Sequence, residues 1–274
     1  MGAAMDTISG YVTAPGSTFT AWTMAAGDSL TIRNGSLDPA KPNWLLNLWA
    51  LNNAVGTLRV RSPRLHDNVQ GIREVVAILD PEPFLPLGVP QKLYPQDTLI
   101  VEQSGSGTAG NIETGSLLVY YTDLPGASAR FIDYATLQKR IVNIETIAVT
   151  LSQTGVGGYT AAVTLNSTVD LTIANTDYAL MGFDNVTSSG GTELPGTISV
   201  RGPDTANLRC SGPGNSTKKD FTVPWFVRLS QWFGIPMIPV INSANKTGTL
   251  IDCTQNQSSN TVTADLIMAQ LAPA

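Results

Sequence analysis

The stretch Gly56-Thr57-Leu58-Arg59-Val60-Arg61-Ser62-Pro63 returns later in the chain as Gly196-Thr197-Ile198-Ser199-Val200-Arg201-Gly202-Pro203. Five of the eight positions are identical, at an offset of 140. Upstream, Ser29-Leu30-Thr31-Ile32 matches Asp170-Leu171-Thr172-Ile173 at an offset of 141. Downstream, Thr98-Leu99-Ile100 matches Thr249-Leu250-Ile251 at an offset of 151. The order is the same in both halves, and a Pro-rich loop precedes the third match each time. The endings Leu124-Pro125-Gly126 and Leu271-Ala272-Pro273 also agree loosely. Three matches in order, at a nearly constant offset, point to a duplicated unit of about 125 residues.

Working outward, short β-branched runs recur between turn clusters, as strands require. The candidate strands are residues 29–33, 44–51, 57–62, 72–79, 98–103 and 116–122 in the first half. In the second half they are 146–153, 159–165, 169–173, 178–183, 197–201, 221–223, 248–254 and 261–268. Gly- and Ser-rich turns separate them, such as Ser104-Gly105-Ser106-Gly107 and the run 155–158. One segment differs. Ser128-Ala129-Arg130-Phe131-Ile132-Asp133-Tyr134-Ala135-Thr136-Leu137-Gln138-Lys139-Arg140 has no Gly or Pro and ends on two cations, as the helix dipole prefers. It reads as a linker helix capped by Ser128. The Pro-rich stretches 80–95 and 224–239 read as long loops. Seven or eight strands per copy fit a jelly roll, eight strands in two packed sheets. An immunoglobulin-like sandwich fits less well, because no Cys…Trp…Cys core pattern is present.

The composition limits the function. The chain has 274 residues, with 42% hydrophobic and only 14% charged, and a formal net charge of -5. Such a chain buries a sizeable core, and it lacks the basic balance of a dedicated nucleic-acid binder. One His and two Cys exclude a disulfide framework and a zinc site of the usual type. The N-terminus shows no signal-peptide pattern, and no apolar run approaches the 18 or so residues of a membrane span.

Candidate chemistry is sparse. His66, beside Asp67, is the single histidine, and no G-x-S-x-G elbow supplies a nucleophile for it. It reads as a loop residue. Cys210 and Cys253 can pair if their strands adjoin, or can sit as buried thiols. Asp177 with Asp184, and Asp80 with Glu82, are carboxylate pairs of the sort a glycosidase or a calcium site uses, but any β protein rich in acids offers such pairs. Arg59 and Arg61 share one strand face, with Arg64 just beyond. That stripe suits phosphate, acids across an interface, or solvent. Lys218-Lys219-Asp220 reads as a solvated loop. Trp44, Trp49, Trp225 and Trp232 read as core or interface, with Trp225 and Trp232 as an alternative sugar platform. No catalytic, cofactor or metal residue is assigned, and the chain is read as a non-enzyme.

Two tandem β units of about 125 residues, joined by a short helix and without a catalytic set, resemble the double jelly-roll major capsid proteins of tailless, membrane-containing icosahedral viruses. That lineage also includes the larger adenovirus coat proteins. The resemblance is one of architecture and covers nearly the whole chain. It implies an all-β fold of two eight-stranded jelly-roll barrels. Residues 1–127 would form the first, 128–143 a linker helix and 144–274 the second. Residues 1–20 would be an arm facing the capsid interior.

The resemblance further implies function by assembly. Three chains supply six barrels, so a homotrimer approximates a hexagon and tiles a closed shell beside neighbouring capsomers, vertex and minor capsid proteins. The shell would surround an internal membrane, which fits the missing basic arm, and no direct nucleic-acid contact is expected. The protein would assemble in the host cytoplasm and reside in the virion, without a cofactor. Two other classes stay open: a tandem β-sandwich carbohydrate-binding module, and an enzyme on a double jelly-roll scaffold, such as a glycoside hydrolase or amidase, which would need clustered carboxylates in a cleft. A viral spike or vertex protein is a near neighbour of the capsid reading.

Overall fold

The computed structural model describes residues 2–33, 40–64, 68–78, 90–165, 171–189, 195–214, 219–256 and 258–274. Strands make up 53% and helices 12%, so the protein is all-β.

The first half contains β1 (Gly2–Thr13), β2 (Thr20–Ala21), β3 (Thr23–Met24), β4 (Asn43–Leu51), β5 (Gly56–Arg61), β6 (Ile72–Val76), β7 (Gln91–Leu93), β8 (Ile100–Ser104) and β9 (Ile112–Leu124). They form a five-stranded sheet, β3-β1-β9-β4-β7, and a four-stranded sheet, β2-β8-β5-β6. The second half contains β10 (Phe131–Ile132), α1 (Tyr134–Arg140), β11 (Ile141–Thr154), β12 (Val163–Thr164), β13 (Asp177–Ser188), β14 (Thr197–Arg201), β15 (Cys210–Pro213), α2 (Lys219–Thr222), α3 (Trp225–Phe233), β16 (Ile238–Asn242), β17 (Leu250–Cys253) and β18 (Ser258–Leu271). Its sheets run β10-β16-β13-β18-β11 and β12-β17-β14-β15. Every named sheet draws its strands from one half only.

The order repeats. β1-β9-β4-β7 corresponds to β11-β18-β13-β16, and β2-β8-β5-β6 to β12-β17-β14-β15. The strongest sequence match lies on matching strands, β5 and β14, where Leu58 and Val60, like Ile198 and Val200, point into the cores. The third match is out of step by one residue. Arg61 pairs with Ile100, and Arg201 pairs with Leu250. Ile100 is therefore the counterpart of Leu250, and buried Val101 that of buried Ile251. In a strand a one-residue slip moves a side chain to the other face, so the burial pattern decides the register.

Several sequence expectations need correction. Residues 1–20 are not an arm: Gly2–Thr13 is a strand buried over most of its length and laddered to β9 from Gly2↔Leu124 to Thr13↔Ile112. Gly10 and Gly115 face each other in that ladder, under the Trp22 ring. A Cβ would lie 2.6 Å from the ring at Gly10 and 2.4 Å at Gly115. The Gly and Ala content that hid this strand is thus what its packing requires. Residues 29–33 make only an isolated Thr31↔Thr98 bridge, and residues 171–173 are not in a strand. The 169–170 part of that second stretch lies outside the described residues. Helix α1 starts six residues later than Ser128, because Asp133 rather than Ser128 caps it, accepting from the Thr136 amide at 2.7 Å. Residues 141–143 belong to β11. Phe221 and Thr222 lie in α2 and Trp225–Phe233 in α3, which replace a supposed strand and a supposed loop. Pro224 precedes α3 and Gly234 ends it at φ 66°, so Pro and Gly bound this helix rather than exclude it.

Ile8, Leu45, Val60, Val101, Leu117 and Val119 fill the first core. The second core gathers Val149, Leu151, Phe183, Val200, Ile251 and Leu266 with Trp225 and Phe226 of α3, and it extends into the first half. Met5, Leu46, Trp49, Leu118 and Tyr120, on the outer face of the first five-stranded sheet, belong to the same cluster. Trp49 meets Trp225 edge to face, with centroids 5.7 Å apart and planes at 82°. The two halves therefore share apolar surface, and the face of a sheet that is ordinarily solvated is buried here.

Candidate functional site: the polar seam between the halves

The outer face of the first five-stranded sheet packs on the outer face of the second four-stranded sheet. Part of the contact is apolar, around Trp49. The rest is a buried polar seam. Ser9 Oγ and Ser116 Oγ lie 2.7 Å apart, and Ser116 Oγ lies 2.6 Å from Thr197 Oγ1. The Trp49 indole N–H donates to the Gly196 carbonyl at 3.0 Å and to Thr197 Oγ1 at 2.9 Å. Thr7 Oγ1 donates to the Arg209 carbonyl at 3.1 Å.

Arg209 is the centre of the seam. It precedes β15, and its guanidinium lies 3.7 Å from the Tyr159 ring centroid, a stacked cation–π contact. It reaches Asp28 at 3.1 Å in the first half and Asp252 at 3.4 Å in the second. Tyr159 places its hydroxyl 2.8 Å from Ser9 Oγ and 3.0 Å from Asp28 Oδ2. The Ser9 amide donates to the same Asp28 oxygen at 2.7 Å. Asp6, one turn of the pleat away, accepts from the Arg209 amide at 3.3 Å and pairs with Arg33 at 3.2 Å. Gly157, at φ 73°, presses on Tyr11, where a Cβ would lie 2.4 Å from the ring.

Burial controls the charges here. It pushes the Asp28 carboxyl up to about 6, against the pull of the Ser9 amide and Arg209. It also raises Asp6, and it raises Tyr159 well above a free phenol. Burial works against the Arg209 charge, but the Tyr159 oxygen, Asp252 and Asp28 more than offset it. Each group is stabilised by its neighbours, and removing one leaves the others exposed to the full cost of desolvation.

This gives a signed pH dependence. The folded Asp28 carboxyl titrates about 6, above its unfolded value near 3.8. Its contribution is fully present below the unfolded value and is lost as pH rises through 6. The margin of the wild type over Asp28→Asn should therefore shrink by about 2 kcal/mol between pH 4 and pH 7. Melting both proteins across that range at fixed ionic strength checks it, and a constant difference would contradict the assignment.

The arrangement joins the two halves. Ser9 and Ser116 are fully buried, so no substrate carbonyl reaches their oxygens. A cavity of about 290 Å³ beside the seam is lined by Asp6, Asp28, Arg33, Thr31 and Tyr121, and Arg33 already pairs with Asp6 there. A second, of about 420 Å³, lies between Arg140, Asp177 and the chain end at Ala274. Among the described residues no group of three or more His, Cys, Asp or Glu is placed to hold a metal ion. Among them, too, no helix is long and apolar enough to cross a membrane.

The residues singled out in the sequence scatter. His66 and Asp67, with Asp80, Glu82 and Lys218, lie outside the described residues. Cys210 and Cys253 are free, buried thiols, and burial pushes the Cys253 thiol up to about 12 and that of Cys210 higher still. Such thiols are inert. Asp177 does not meet Asp184: it binds Arg130 at 2.7 Å and the Asn242 amide at 2.8 Å. Asp184 instead faces Asp265 across the ladder. Arg59 and Arg61 both close on Glu102, at 2.7 and 2.9 Å, and hold it below the usual carboxylate range. Arg201 repeats that pairing with Asp252 at 3.3 Å. The Trp225–Trp232 platform does not form, because Trp225 is fully buried with its N–H on the Ser211 carbonyl, while Trp232 is 44% exposed. The seam itself was not foreseen. Its members run from Asp6 to Asp252, and no local spacing signals it.

No family model matches the chain, and no curated protein matches it. Among solved structures, one described as the PBSX exported protein XepA aligns over 94% of this chain and 86% of that one. It has 13% identity and a TM-score of 0.22, which is too low to bear on fold or function.

Proposed function

We propose that this chain is a double jelly-roll major capsid protein, a coat subunit that assembles as pseudo-hexagonal homotrimers into an icosahedral shell around an internal membrane. The observation that carries this reading is the duplicated winding. Counting the eight recurrent strands of each half in chain order, one sheet runs 1-8-3-6 and the other 2-7-4-5, in both halves alike. That is the order produced when a long antiparallel hairpin is rolled into two facing sheets, the jelly-roll course. On this reading residues 1–127 and 144–274 are the two barrels, joined through α1, and the work of the protein is adhesion between copies. The seam supports it: two like units are fixed side by side by shared core, hydrogen bonds and buried ion pairs.

The test is solution mass at rising protein concentration, by light scattering after size exclusion, with negative-stain images of the same fractions. A species at three times the 29.0 kDa chain mass, with a hexagonal outline, is expected. A monomer at every concentration would overturn the proposal, and glycan binding would then be examined.

A further inference from the structure

We draw no further inference here: the strongest candidate, the apolar surface patch of Val142 and Ile144 at the start of β11, on the edge of the second five-stranded sheet, is exposed, and nothing in the structure shows what covers it.

Discussion

Arg209→Ala should cost the folded protein about 3–5 kcal/mol, because it removes the cation from a cluster of buried carboxylates. Asp28 keeps the Ser9 amide and the Tyr159 hydroxyl but loses its only ion pair among the described residues, while Asp252 retains Arg201. The Tyr159 ring also loses the guanidinium stacked on it. At about 2–4 °C per kcal/mol for a chain of this size class, the melting temperature should fall by roughly 6 °C or more. The loss should be greatest above pH 6 and smaller at pH 5, where the Asp28 carboxyl takes up a proton and no longer needs a cation. A variant that melts within about 2 °C of the wild type at pH 7 would contradict the role of Arg209 as the cation that holds these buried carboxylates.

Trp49→Ala should be as damaging, at about 3–5 kcal/mol, the usual range for deleting a buried large aromatic. The side chain is 1% exposed, and it fills the apolar end of the joint. Its removal takes the indole donor from the Gly196 carbonyl, which keeps the Gly214 amide, and from Thr197 Oγ1, which keeps Ser116, and it opens a void against Trp225. Because Trp49 belongs to the first half and Trp225 to α3 of the second, their coupling reports on the joint itself. A double-mutant cycle with Trp225→Ala should give an interaction of about 0.5–1.5 kcal/mol beyond additivity, as edge-to-face aromatic pairs do. Strict additivity in urea melts would show that the halves are held elsewhere.

β5 and β14 are announced by their alternation of apolar and polar letters, and the Arg59/Arg61 face opposite Leu58 and Val60 is legible in the letters alone. β1 is not, because it is buried on both faces. Its outer side meets another protein surface instead of water, so Met5, Thr7 and Ser9 replace the charged residues that mark a solvated face, and Gly10 makes room for Trp22. The same cause hid α3. Proline at its start and at Pro236 suggests loop, but Trp225, Phe226 and Leu229 are fully buried and hold the helix by tertiary packing. The seam was invisible for a third reason. Asp28, Tyr159, Arg209 and Asp252 are separated by 131, 50 and 43 positions and meet only after both halves have folded. What sequence did contain was the duplication, two like units joined by a short helix.

The joint between the halves is formed within one polypeptide, across the short turn at Gly126. A tether of that length holds one partner near the other at millimolar local concentration, whatever the dilution of the solution. The adhesive at this joint can therefore be weak per unit area. That freedom suits a surface that carries a buried arginine among acids, whose desolvation makes it a poor glue between separate molecules but a precise locator of register. In the proposed trimer, linking like units in pairs would convert every second contact around the ring from a concentration-dependent equilibrium into a first-order folding event.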